Sequence, residues 1–459
     1  MNILPEFFVS LCFVQCGAWL SFMIFISREH YSYVLVGPQI CAMVTAGAAG
    51  IILALAKHIY GRVRFIHPAL MGLGTLGLFG CGVAFVVNYE DPTVGLFFGG
   101  LGHGMVFISG LCYVHFRSKD DGYRVFRTGF CHLAHLGGFT LVAHLTAPYL
   151  DLNSNNVVYR AGWIILTGSI LAICALLFNQ LLHSCGLFNY RSSRDPAVEN
   201  ANDVSDHFKS TLGFNETLTK EPNTTRQTLL SLLALTTKLT NLTFNYHVFL
   251  YFTAITIHYL LRDNDFFQHH GLHYLKYYFG LLGLIVGLIA SLFLNYKLIY
   301  MKSLGATFLA FIIGTSLFTT EHPGMAGISF WLMYFSLGVG LFIPDIQIME
   351  VSNMRLTELM LAKGYIIENT VVCTILFLFH RHPYMLFRGG IEAIGWTHGG
   401  TFAGLFLLLL ILYIIYFPST FRKGLITIQY LVLYDQEEKP VVPAKHPTTE
   451  IAMPMPISS

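Results

Sequence analysis

The sequence predicts an all-α, multi-pass membrane protein of twelve transmembrane helices arranged as two six-helix repeats. Three observations predict it. Of 459 residues, 54% are hydrophobic and only 11% are charged, and the apolar residues fall in blocks of about twenty, the length that crosses a bilayer. Six blocks precede and six follow a polar stretch at 184–244. Short features of the first half also recur in the second at a nearly constant offset.

The first six blocks lie at 5–27, 34–56, 66–87, 94–115, 127–148 and 159–183. The second six lie at 246–262, 274–296, 303–320, 325–351, 361–380 and 398–417. The first block lacks a basic leader region and a small-residue cleavage site, so it is expected to remain as a helix. The chain therefore divides into an N-terminal half at 1–183, a cytoplasmic central linker at 184–244, a C-terminal half at 245–418 and a cytoplasmic, disordered tail at 419–459. Ser, Asn, Thr and charges dominate the linker, with one short surface helix expected near Thr228 to Lys238. The tail carries Pro440, Pro443, Pro447, Pro454 and Pro456. Nine cysteines sit in or beside the apolar blocks and suggest no disulfide framework.

Orientation follows from the basic residues of the short loops. With both termini in the cytoplasm, the inner loops hold eleven Lys and Arg residues and the outer loops and their edges hold six. Two basic hexapeptides, Lys57 to Arg62 and Lys297 to Lys302, stand 240 residues apart between the second and third helices of each half. Gly102 is followed by Gly129 and Gly338 by Gly364, spacings of 27 and 26. An offset held over so much chain means two halves of one ancestry, related as parallel repeats.

Six plus six helices, a long central loop and a basic motif after helix two resemble the major facilitator superfamily. In that motif, Gly61 and Arg62 occupy the family's Gly and first basic places, while His58 stands where the family has Asp. The resemblance implies an inner-gate role for Lys57, Gly61 and Arg62, and for Lys297 and Lys302 in the second repeat. Gly99 to Gly104, Tyr113, and Arg124 to Gly129 ahead of Gly137 and Gly138 resemble the monocarboxylate-transporter branch. That branch's Gly- and Trp-rich helix-one start, its helix-one Lys and its helix-eight Asp-Arg pair are missing here, so cargo is not carried over residue by residue.

Ionisable groups inside apolar helices are costly and usually face a cavity or a partner. In the resembled fold helices one, four, seven and ten line the central cavity, which singles out His103, His258, Arg262 and Asp345; Glu368 in helix eleven joins them as a candidate for substrate binding or proton coupling. His103, between Gly102 and Gly104, either bonds a neighbouring helix or exchanges a proton. His258 and Arg262 share a helix face at i, i+4, placed either to attract an anion or to meet lipid phosphate. Asp345 follows Pro344, which removes a donor and favours a bend that exposes the acid. Glu368 reads as a cavity acid or as an inter-helix ion pair. His132 and His135 read as structural.

The groups His132-x-x-His135, His269 to His273 and His380-x-His382 have ligand-like spacing but fall on opposite membrane faces. They form no common site, so no metal and no other cofactor is expected. A net charge of +2 and the lack of a phosphate loop argue against a nucleic-acid partner, and no enzymatic role is expected. The expected function is a secondary transporter moving a small solute by alternating access, with an organic anion such as a monocarboxylate as one class and protons as one coupling ion. The alternative is a transporter-fold receptor, chaperone or regulator that no longer transports. The expected setting is the lipid bilayer of the plasma membrane, with an accessory membrane protein left open.

Overall fold

In a computed structural model, the described residues are 4–29, 32–60, 66–117, 123–146, 154–184, 224–238, 272–319, 323–353, 356–381, 399–418, 428, 431 and 432. All regular structure among them is helical. Six helices form the first half: α1 (Leu4–Glu29), α2 (Ser32–Tyr60), α3 (Ile66–Val87), α4 (Thr93–Arg117), α5 (Arg124–Thr146) and α6 (Ser154–Ser184). α7, described over 224–238, falls in the stretch read as the linker, and the second half comprises α8 (Leu272–Phe293), α9 (Tyr296–Thr319), α10 (Pro323–Gly340), α11 (Ile343–Val351), α12 (Thr357–Arg381) and α13 (Gly399–Tyr416). Seven stretches among the described residues are long and apolar enough to cross a membrane. Val44, Leu55, Leu73, Leu76, Leu171 and Ile415 keep their side chains exposed, as lipid-facing positions do in an integral, multi-pass membrane protein.

Small residues set how closely the helices pack. A methyl group at Gly100 or Gly104 of α4 would overlap the carbonyls of Pro38 or Ala42 on α2, and one at Gly102 would overlap the Gly74 carbonyl on α3. In the second half, a methyl at Gly338 of α10 would overlap the Gly280 carbonyl on α8, and one at Gly340 would meet Ser303 and Tyr300 on α9. Glycines thus seat α4 on α2 and α3, and α10 on α8 and α9, although the matched Gly102 and Gly338 do not face corresponding helices. Between the halves, α2 lies along α12 and α5 along α8.

Four expectations change. The stretch expected as a surface helix in the linker is packed inside, with Leu230, Leu233, Ala234, Thr237 and Lys238 of α7 buried; its Thr and Ser hydroxyls bond back to the helix's own carbonyls, so the segment reads as more polar than it packs. The expected helix at 246–262 lies outside the described residues. The tail is not wholly disordered: Ile428, Leu431 and Val432 are helical and buried, and Arg226 donates to the Leu431 carbonyl at 3.0 Å. These tail residues lie in the apolar stretch 424–433, while the prolines come later. Lys297 and Lys302 belong to α9 and not to a loop. Finally, the bend expected at Pro344 within the span 325–351 is a full break: α10 stops at Gly340 and α11 restarts at Ile343 with Pro344 in its first turn, because a proline nitrogen has no hydrogen to continue the ladder. Asp345, which the bend was expected to expose, is buried.

Candidate functional site

The break before α11 places a carboxylate where it is needed. Asp345 falls in the first turn of this nine-residue helix, beside backbone N–H groups that favour negative charge. Lys238 of α7 donates to Asp345 Oδ1 at 2.5 Å and approaches Glu368 Oε2 of α12 at 2.9 Å. One buried ammonium therefore joins two carboxylates from different helices of the second half. Asp345 is closed off, with 6% of its side chain exposed, whereas Glu368 keeps 31%.

The first half supplies the facing wall. His132 Nε2 of α5 stands 3.5 Å from Asp345 Oδ2. One turn further along α5, His135 Nε2 is 3.2 Å from His103 Nε2 of α4, and His103 Nδ1 is 2.5 Å from the Tyr365 hydroxyl of α12. Phe107 sits at the centre, its ring within 6.0 Å of His103, His132, His135 and Tyr365 and 5.7 Å from the Lys238 ammonium. Trp19 of α1 packs on His103 at 5.0 Å, a position open only because Gly99 has no side chain. Its indole N–H has no acceptor among the described residues. The result is a mixed aromatic and ionisable cluster built by helices of both halves and α7.

A second constellation closes one end of the bundle. Arg124 Nη2 at the start of α5 meets Glu350 Oε1 near the end of α11 at 2.5 Å, both buried. The Tyr296 hydroxyl of α9 donates to the other Glu350 oxygen. Nearby, Gly129 of α5 lies against Leu288 of α8 and Phe342, and Gly50 of α2 against Ala362 of α12. These contacts join the two halves. Within the first half, Arg127 Nη1 reaches Glu6 Oε1 at 3.1 Å.

Of the residues singled out in the sequence, the structure brings His103, Asp345 and Glu368 into one cluster. His258 and Arg262 lie outside the described residues, as do Gly61, Arg62 and the Lys57 side chain. Lys297 binds the carbonyls of Ile414 and Phe417 and so fastens the end of α13; Lys302 is exposed. Neither joins the inter-half contact, which Arg124, Glu350 and Tyr296 make instead. His132 and His135, expected as structural, face the cluster. Lys238, Trp19, Phe107 and Tyr365 were not singled out. A lone Lys in an otherwise apolar stretch from Leu229 onward was the available signal.

No protein-family model matches the chain, and no curated protein matches it in sequence. Solved structures do match in shape. A doubly tryptophan-substituted form of the xylose transporter XylE superposes with a TM-score of 0.64 at 13% identity, covering 93% of this chain and 98% of that one. The fold is that of the major facilitator superfamily. The same proton:xylose symporter bound to 6-bromo-6-deoxy-D-glucose gives 0.62 at 13% identity, again over 93% and 98%. The fucose:proton symporter FucP of E. coli gives 0.54 at 13% identity over 91% and 98%. These major facilitator neighbours are sugar transporters and give no support to the monocarboxylate branch in particular.

Proposed function

We propose that this protein is a secondary transporter that works by alternating access and couples a small polar solute to protons at the Lys238, Asp345 and Glu368 cluster. The carrying observation is that this triad, drawn from α7, α11 and α12, meets His103, His132 and His135 of the first half in one cluster. Charged groups held there at the cost of desolvation serve a transport path more often than they serve packing. The fold of two halves around a central lining supports the same reading.

Charge decides the solute class. With the histidines neutral, one Lys and two carboxylates sum to −1, which repels an organic anion and accepts an uncharged solute rich in hydroxyl or carbonyl oxygens. Trp19, Tyr365 and the histidines offer the N–H and O–H groups, and Phe107 the apolar face, that such a solute uses. The named ligands of XylE and FucP are of this class. Lys238 supports a second reading, a monocarboxylate that enters only after one carboxylate has been protonated.

The basic-residue bias supports a topology with both termini and the Arg124 to Glu350 end in the cytoplasm, with the plasma membrane as the expected location. The structure is then closed toward the cytoplasm. Purified protein in liposomes containing a pH-sensitive dye tests the proposal. Pentoses, hexoses, polyols and monocarboxylates are offered in turn, and inward proton movement is expected with an uncharged polyhydroxy solute. Proton movement with monocarboxylates alone would move the assignment to the second reading. No solute-evoked movement, together with firm retention of a membrane partner, would support a receptor or regulator.

A further inference from the structure

Resting on the transport reading, we propose that the coupling proton binds Glu368, and that this event frees Lys238 to donate to the solute. The two carboxylates on Lys238 are unequal in three respects. Asp345 has the N-terminal turn of α11 behind it, His132 at its second oxygen and almost no exposure. Glu368 lies mid-way along α12, far from either helix end, has Lys238 as its only ion-pair partner among the described residues, and keeps about a third of its side chain open. Its anion is the less stabilised and the more reachable of the two, so an arriving proton goes there first.

The charged and titratable groups around this pair come from every packed helix that supplies any. They are His103 of α4, His132 and His135 of α5, Lys238 of α7, Asp345 of α11 and Tyr365 on the preceding turn of α12. From α2 the neighbour is uncharged, Met43 at 3.3 Å from the Thr370 hydroxyl. Asp345 and Glu368 compete for one ammonium. Protonation of Glu368 removes one of its two anionic partners, leaves the Lys238 to Asp345 pair intact, and turns an N–H of Lys238 toward the space that the carboxylate held. The cluster passes from −1 to neutral. A carboxylic acid at Glu368 also gains an O–H donor. Proton binding thus creates donors for solute oxygens, and the order is proton first, solute second.

Infrared difference spectroscopy on the full-length protein in lipid reads this without any solute. Acidification of the wild type should produce the carbonyl band of a protonated carboxylic acid. Glu368→Gln should remove one such band, while Glu368→Asp should keep it at a shifted frequency. Lys238→Met should move the midpoint of that band to higher pH, raising proton affinity about tenfold or more, because the cation that favoured the anion is gone. Circular dichroism confirms that each variant remains folded. A band that survives Glu368→Gln and disappears in Asp345→Asn would overturn the proposal. So would an absent band in the wild type or an unmoved midpoint in folded Lys238→Met. Since no transport is measured, a negative result here is distinct from a failure of the liposome experiment.

Discussion

Glu350→Gln is the most informative single change at the closed end. In the present state Glu350 is fully buried between Arg124 from the first half and Tyr296 from the second. Removing the carboxylate charge leaves the Arg124 guanidinium buried opposite a neutral amide. Breaking a buried pair in this way costs about 3–5 kcal/mol. Little of that penalty remains when the end opens, because the pair has already separated there and Arg124 is rehydrated. The difference between states is what shifts the equilibrium, and even about 1.4 kcal/mol moves it tenfold toward opening. Leu288, which touches Gly129 across the halves, reports the opening once changed to Cys in a background with the native cysteines replaced. Its labelling by a membrane-impermeant maleimide from the cytoplasmic side should accelerate about tenfold or more when Glu350→Gln is added. Exchange of the two charges, Arg124→Glu with Glu350→Arg, should slow it again. Labelling that is equally slow with and without Glu350→Gln would remove this pair from the gate.

Lys238→Ala should abolish solute-driven proton movement and lower the thermal midpoint, since Asp345 and Glu368 then face each other without their cation, at a cost of about 3–5 kcal/mol; Lys238→Arg should retain part of both. Truncation after Pro418 should lower the thermal midpoint by a few degrees, because Ile428 and Val432 are fully buried and each such side chain contributes about 1.5–3 kcal/mol; an unchanged melting curve would mean that the docking is incidental. The sequons at Asn215, Asn223 and Asn241 should stay bare in a eukaryotic host, read as equal gel mobility before and after glycan removal, and a shift would invert the orientation.

Helix positions were largely legible from hydropathy, because the bilayer imposes length and apolarity on every span. The expected 66–87 coincides with α3 and the expected 398–417 differs from α13 by one residue at each end. The break at Pro344 was legible for a local reason, the missing amide hydrogen. Lys238 was not. Its surroundings, Thr236, Thr237, Thr240 and Asn241, resemble a polar linker in composition, and only the packing of α7 shows that the Thr236 and Thr237 hydroxyls bond within their own helix. His132 and His135 escaped because i, i+3 histidines near a helix start are usually structural; what made them part of the site was the approach of Asp345 from a helix more than two hundred residues away. Basic residues gave an expected orientation, but they could not say which of them cross between halves. Arg124 does so because Glu350 lies opposite it, whereas Lys297 fastens α13.

Two rigid elements tie the ionisable cluster to the closed end. On α11, Asp345 and Glu350 are five residues apart, about 7.5 Å along the axis at 1.5 Å per residue. On α5, Arg124 and His132 are eight residues apart, about 12 Å by the same rise. The two helices thus meet twice, through His132 and Asp345 in the cluster and through Arg124 and Glu350 at the end. A short helix cannot stretch, so a rotation of α11 that carries Asp345 with Lys238 also moves Glu350 relative to Arg124. α10 and α11 are joined at Leu341 and Phe342, where the Leu341 amide turns back to the Gly338 carbonyl at 3.2 Å and the Ile346 amide is 3.5 Å from the Phe342 carbonyl. In the proposed cycle, charge rearrangement at Lys238 and opening at Glu350 would be one mechanical event, carried by the nine-residue helix α11.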